Sequence, residues 1–457
     1  MNSQSFFQKA SCEEAFKVIE VELGFTFDVF FTKAFLVYSL KGCLLRLISF
    51  SSTVVVLLVF LIMDKHAFST ADIIITYVLL VGAILLEIYA VLVLVTLDWT
   101  ILWLSNHKNS VVDFFYTTIS SIPLSKNKRW SNTMGQYNLI KYCLKEKPTK
   151  YSVIQKFLCM SELEKLRYQD SAEVSMVLKN LIFEQLQKKS EFAKDLKACK
   201  ELCACSGDRI LKNAKCQDCI KKEQSKTEEE SVEVEFDPVL QNAKCHFELI
   251  KGNRTTIEQS VEEEFDQSIL LWHIATNLCI NYDWNTSPNS IKIPNCEASK
   301  LLSDHMLYLL VMRPFMLPNG IGQIRFQDTC AEAIEFFRER KSVCVGDHAR
   351  MILLEVSTEV PPSKVKGDRS KSVLFEGCRL AKSLQCLEIE KKWELVSHVW
   401  VEMLCYAANK CRWNHHAQQL TRGGELITHV WLLSAHFGIT EQFQISKGHA
   451  RAKLIVH

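Results

Sequence analysis

Two stretches, Leu47–Met63 (LISFSSTVVVLLVFLIM) and Ile73–Leu97 (IIITYVLLVGAILLEIYAVLVLVTL), decide how this chain reads. The first holds no charge over 17 residues and as an α-helix rises about 25 Å, the short end for a bilayer core. The second has room to span with tilt and carries a single charge, Glu87. Helices of soluble proteins that reach this length show a polar stripe, and these runs show none. The nine residues between them, DKHAFSTAD at 64–72, are short enough to force an antiparallel hairpin. Trp99 and Trp103, just beyond the second run, suit the aromatic belt at a membrane interface. The expected fold is therefore mainly α: a transmembrane helical hairpin at 47–97 (spans 47–63 and 73–97), then cytosolic α-helical modules, with the lipid bilayer as a partner.

Charge and thiol usage give an orientation. Lys33, Lys41 and Arg46 precede the hairpin, Lys108, Lys126, Lys128 and Arg129 follow it, and the loop between the spans holds only Lys65. The positive-inside rule then places both termini in the cytosol. The 18 cysteines are dispersed and no secretory signal precedes them, which reads as reduced cytosolic thiols. The sequons Asn253-Arg-Thr255 and Asn285-Thr-Ser287 are accordingly expected to stay unglycosylated. A net charge of +2 offers no global field for nucleic acid, and none is expected as a partner.

Ahead of the hairpin, 1–46 reads as an interfacial or partly inserted segment. Residues 25–40 are apolar but broken by Asp28 and Lys33, with a third full span as the alternative. Glu87 is the one intramembrane polar site. A carboxylate there is costly, so it marks either a functional position or a hydrogen bond to the neighbouring helix, with Ser51, Ser52 and Thr53 as candidate partners. The structural role is the favoured one, because two helices cannot enclose a pore.

Beyond the membrane runs, 98–200 reads as a basic juxtamembrane helical region, with sixteen Lys/Arg against eight Asp/Glu between Lys126 and Lys200. Its clearest helix carries Val174, Val177, Leu178, Leu181, Ile182 and Leu186 behind an Asp170/Glu173 capping box. Residues 201–268 read as a linker that includes a tandem duplication, two 29-residue units at 211–268 sharing fourteen identities. A helical region at 269–357 contains ILLWHIATNLC, a helix stopped at Arg313-Pro314, and a third helix capped by Thr329 and Glu332. A linker at 358–371 leads to a C-terminal helical module at 372–438 and a tail at 439–457. In that module Trp393, Val396, Trp400, Met403, Leu404 and Ala407 recur at helical spacing. RWNHHAQQLTRGG reads as a turn-rich connection, and ELITHVWLLSAHF as a helix ended by Gly438.

Few residues suggest chemistry. Cys199, Cys203, Cys205, Cys216 and Cys219 have metal-like spacing, but the second repeat has Glu248 where the first has Cys219, which favours plain thiols. The metal candidates are His415, His416, Glu425 and His429, with Glu425 and His429 four apart on one helix face. The competing reading, favoured by the surrounding Val, Trp and Leu, makes His429 and His436 packed core histidines. Arg422-Gly423-Gly424 at a helix start is either an anion site or an ordinary helix entry. Phosphate-loop, nucleophile-elbow, zinc-protease and EF-hand motifs are all missing, so the sequence leans away from an enzyme and calls for no cofactor.

The stretch HVWVEMLCYAANKCRWNHHAQQLTRGGELITHVWLLSAHFG (398–438) resembles a plant family of uncharacterised membrane proteins. ITYVLLVGAILLEIYA with DWT (75–100), LLWHIATNLC (270–279) and MLYLLVMRPFMLPNGIGQIRFQDTC (306–330) extend the likeness over most of 40–457. The family pairs an N-terminal multi-span domain of unknown function with a C-terminal domain of unknown function. It usually carries further spans upstream, so the resemblance implies an N-terminally shortened member; it implies no catalytic residues. The reading is a membrane-anchored interaction or scaffold protein whose partners are other proteins or itself. The alternative is a transporter subunit or metal-dependent membrane enzyme using Glu87 or the C-terminal histidines.

Overall fold

The computed structural model describes residues 3–33, 39–64, 69–96, 99–100, 102, 130–144, 165–193, 196–207, 209–210, 257, 260–261, 263–286, 293–318, 320–340, 346–358 and 372–440. Residues 211–256, most of the tandem duplication at 211–268, lie outside them with Cys216, Cys219 and Asn253, as do Trp103, Lys65, the lysines at 108, 126 and 128, Arg129, residues 359–371 of the linker at 358–371, and the tail from 441. The chain divides into two compact units, Met1–Phe16 with Asn132–Gln419 and Glu425–His457, and Lys17–Ser131 with Leu420–Gly424.

Helix α1 (Ser3–Phe7) is followed by α2 (Cys12–Phe31), which opens on a reciprocal cap. There the Ser11 amide and hydroxyl donate to Glu14 Oε2, and the Glu14 amide donates to Ser11 Oγ. The chain leaves the helix at Thr32–Lys33, so the apolar stretch at 25–40 is not one unbroken helix.

The hairpin consists of α3 (Leu40–Ile62) and α4 (Thr70–Thr96). Ser39 caps α3 by accepting from the Gly42 amide, so this helix begins seven residues ahead of the uncharged run and takes in Lys41 and Arg46. Its 23 residues rise about 35 Å, which removes the shortfall seen from the apolar run alone. Ser69 and Asp72 cap α4. The two helices pack together, with Phe60 and Tyr77 edge to face at 5.0 Å. Both are long and apolar enough to cross a membrane, and neither apolar window is buried. Leu58, Leu79 and Leu86 are all more than half exposed.

Among the described residues the other unit is helical except for one pair of strands. β1 (Thr133–Gln136) is followed by α5 (Leu139–Cys143) and pairs antiparallel with β2 (Asp170–Glu173). Helices alone were expected over 98–200; strands of four residues are too short to display an alternating pattern. The supposed capping residues Asp170 and Glu173 thus lie in β2. Helix α6 (Met176–Phe192) starts later, capped by Ser175, which accepts from the Leu178 amide.

After α7 (Leu196–Ala204) come α8 (Phe265–Thr286) and α9 (Pro294–Met312). Arg313 ends α9 ahead of Pro314, as expected, and a short 3₁₀ turn follows. Helix α10 (Gly322–Glu339) begins before Thr329, whose hydroxyl turns back to the Arg325 carbonyl inside the helix and caps nothing. α11 (Gly346–Glu355), α12 (Val373–Gln385), α13 (Ile389–Lys410), α14 (Trp413–Leu420) and α15 (Leu426–His436) follow among the described residues. The expected turn-rich connection at 412–424 therefore contains a helix, α14.

Helix α8 is buried on nearly every face because it is packed by α9, α11 and α12 at once. α9 packs in turn on α13, and α13 on α15. Trp272, Trp393 and Trp400, with no exposed surface, fill the centre. β1 lies flat on α9, where a Cβ at Gly135 would stand 2.4 Å from the Tyr308 ring, so only glycine permits the approach.

Candidate functional site

A dense polar group forms where β1 turns into α5 against α8 and α9. The Asn138 side-chain amide donates to Asn277 Oδ1 at 2.6 Å and to Asp304 Oδ1 at 3.0 Å. The Leu139 amide donates to His273 Nε2 at 3.2 Å. That nitrogen must therefore be an acceptor, which leaves the proton of the neutral ring on Nδ1, facing the Ser303 hydroxyl (2.9 Å) and carbonyl (3.2 Å). Burial drives His273 down to about 3 and raises Asp304 to about 6, and His273 has no exposed surface. A serine, a histidine and an aspartate stand together here: the imidazole meets the hydroxyl and carbonyl of Ser303, and the aspartate accepts from the Asn138 amide. The arrangement ties the 130–144 segment to the helical core.

Sequence reasoning passed over this group. LLWHIATNLC and SDHMLY display helix periodicity, and the polar residues on the buried face carry no spacing of their own. A second omission is Asp283, which receives Lys392 Nζ at 2.8 Å and the Trp393 indole N–H at 2.8 Å.

The metal candidates are placed separately. His416 is fully buried and stacked on Trp431 with centroids 4.6 Å apart; its Nε2 donates to the Ala408 carbonyl at 3.0 Å and its Nδ1 accepts from the Thr428 hydroxyl at 3.3 Å. His429 is buried and donates from Nδ1 to the backbone carbonyl of Glu425 at 3.0 Å. Burial lowers both histidines to about 4. Glu425 is the residue before α15, not on its face, and its carboxylate accepts from the Tyr308 hydroxyl at 3.1 Å. His415 is half-buried, edge-on to Phe315. Among the described residues no three His, Cys, Asp or Glu side chains are placed to hold one metal ion.

His436 is also not the packed core histidine expected beside His429. It is part-exposed at the end of α15, and α1 covers it. The Phe7 ring stacks on the imidazole at 4.3 Å and 14°, and meets Phe437 edge to face at 6.1 Å. Ser3 Oγ stands 2.5 Å from His436 Nδ1, and the Gln4 side chain donates to the Phe437 carbonyl at 3.3 Å. Gly438, at φ 73°, ends the helix in the left-handed turn that glycine adopts without strain. Phe183 packs on Phe437 from α6, and the thiols of Cys199 and Cys203 point at the Gly438 and Ile439 carbonyls. Burying Phe7 contributes about 1.5–3 kcal/mol, and each hydrogen bond roughly 0.5–1.5 kcal/mol. Ordering the segment costs about 1–2 kcal/mol per residue, so the gain and the cost are of the same order.

Within the hairpin, Glu87 meets Ser49, not Ser51, Ser52 or Thr53: Ser49 Oγ donates to Oε1 at 3.5 Å. Trp99 donates to Asp28 Oδ2 at 3.0 Å and stacks edge to face on Phe25 at 4.8 Å.

Residues 1–143 match the family model described as "Domain of unknown function (DUF4220)", and residues 387–439 match "Protein of unknown function, DUF594". No curated protein and no solved structure matches the chain. The matched regions hold, respectively, α1–α4 with β1 and α5, and α13–α15. The chain thus pairs a DUF4220 domain at its N-terminus with a DUF594 domain at its C-terminus, both of unknown function, the two-domain layout of the family that its sequence resembles.

Proposed function

We propose that this is an integral membrane protein anchored by the α3–α4 hairpin with both termini in the cytosol. On this reading its helical unit serves as an interaction scaffold for other proteins or further copies of itself. The observation that carries the reading is the outer surface of the hairpin. Leucine, isoleucine and valine side chains lie exposed along two helices of 23 and 27 residues, a surface that lipid accepts and water does not.

Glu87 beside Ser49, and His416 and His429 bonded inside the C-terminal module, support structural roles for the residues on which transport or metal chemistry would rest. A photocrosslinking residue at Leu79 is expected to capture phospholipid, and one at Trp413, which is 56% exposed, to capture none. Failure at Leu79, or release of the protein by alkaline carbonate, would overturn the anchor. If Glu87→Gln or His429→Ala abolished the cellular phenotype while level and membrane location held, a transporter or enzyme would replace the scaffold.

A further inference from the structure

We infer that the surface made by Phe183, His436, Phe437 and the Gly438 turn is a peptide-binding site, held in cis by α1 as a reversible ligand, and that α1 of a second copy takes the same place in trans. The recognition has three elements on one short segment. A hydroxyl (Ser3) meets the imidazole, a carboxamide (Gln4) donates to a carbonyl that α15 cannot satisfy at its own end, and an aromatic ring (Phe7) lies on the imidazole face. The ligand class is therefore a peptide with hydroxyl, carboxamide and aromatic side chains at positions 1, 2 and 5, and this chain supplies one.

Reversibility follows from how α1 is built. It has five residues, too few to persist as a helix alone, and Phe7 is its one buried residue. Exposed Lys9 lies in the connection to α2, and α2 carries its own Ser11–Glu14 cap, so its start does not depend on α1 staying docked. Exchange of such a segment between identical chains gives a dimer with no new contact surface. The inference rests on the interaction reading above, to which it gives a surface, and it does not depend on the anchor.

The test uses the full chain in detergent micelles and a fluorescent peptide of residues 1–10, MNSQSFFQKA. The Phe7→Ala chain, whose site has lost its cis ligand, is expected to bind the peptide about tenfold or more tighter than wild type. The peptide carrying the same Phe7→Ala change is expected to bind neither. Equal binding by both chains, or none by the Phe7→Ala chain, overturns the site. Hydrogen exchange on the wild-type chain needs no variant. The α1 amides should exchange about a hundredfold or more faster than those of Val430–Leu433, and equal protection overturns reversibility. Lipid capture at Leu79 reads out the anchor separately, so the two failures are distinguishable.

Discussion

Lys392, in the first turn of α13, reaches Asp283 near the end of α8 with 2.8 Å between Nζ and Oδ1, and both side chains are 2% exposed. The Trp393 indole donates to the other carboxylate oxygen, so one aspartate is bonded by two successive residues of the DUF594 match. A fully buried ion pair does not guarantee stability, because desolvation offsets the attraction; removing one partner, however, strands the other charge.

Asp283→Ala is accordingly expected to destabilise the helical unit by about 3–5 kcal/mol. Asp283→Leu with Lys392→Met, which removes both charges, should recover most of that. Denaturant unfolding followed by tryptophan fluorescence checks both. A single mutant as stable as wild type would show that the pair is not buried in solution.

Acid should weaken the unit through its histidines. His273, His305, His416 and His429 are held by burial at about 3 to 4 in the folded chain, against an ordinary value of 6.5. Each contributes stability that is fully present above 6.5 and is lost as pH falls toward 4, because the unfolded chain takes up the proton first. Asp304, raised to about 6, works the other way: its folded form holds a proton between about 4 and 6, which offsets one histidine. The net expectation is a loss of roughly 1.4 kcal/mol per pH unit for each uncompensated histidine. His429→Gln should lower the slope by about one proton. Stability measured at several pH values between 4 and 7 reads this directly.

Thiol reactivity should follow burial. Cys279, Cys296, Cys378 and Cys411 are pushed up to about 12 by desolvation, and little thiolate exists near neutrality. Cys386 is exposed. Maleimide labelling of the folded chain, mapped by mass spectrometry, should mark Cys386 early and these four only after unfolding. Early labelling of Cys279 would contradict the packing of α8.

Ser49→Ala tests the bond inside the hairpin. Interhelical hydrogen bonds in membranes contribute about 0.6 kcal/mol on average, so the variant should lose roughly that much. Glu87→Leu should insert at least as well as wild type. Loss of membrane insertion in Glu87→Leu would show that the carboxylate has a role beyond the Ser49 bond.

The apolar runs at 47–63 and 73–97 were legible at sight because a helix that faces lipid needs no polar stripe, and that property is local. The periodicity behind α8, α9, α13 and α15 was equally local, as was the stop at Arg313-Pro314. Helix entry points were less so. Ser175 and not Asp170 caps α6, and α14 occupies what read as turns, because choices between neighbouring caps depend on what the next element leaves room for.

What no window of sequence carried was pairing at a distance. Glu87 met Ser49 because the hairpin register is decided by packing along both helices. The Asp283–Lys392 bond joins residues 109 apart, and Phe7 reaches His436 across 429 positions. Sequence alone determined the long helices and which of them suit lipid, since backbone hydrogen bonding and side-chain hydropathy act over one turn or one span. Tertiary structure alone decided which polar side chains are bonded to one another and what covers His436, since burial creates those partnerships only once remote helices have met.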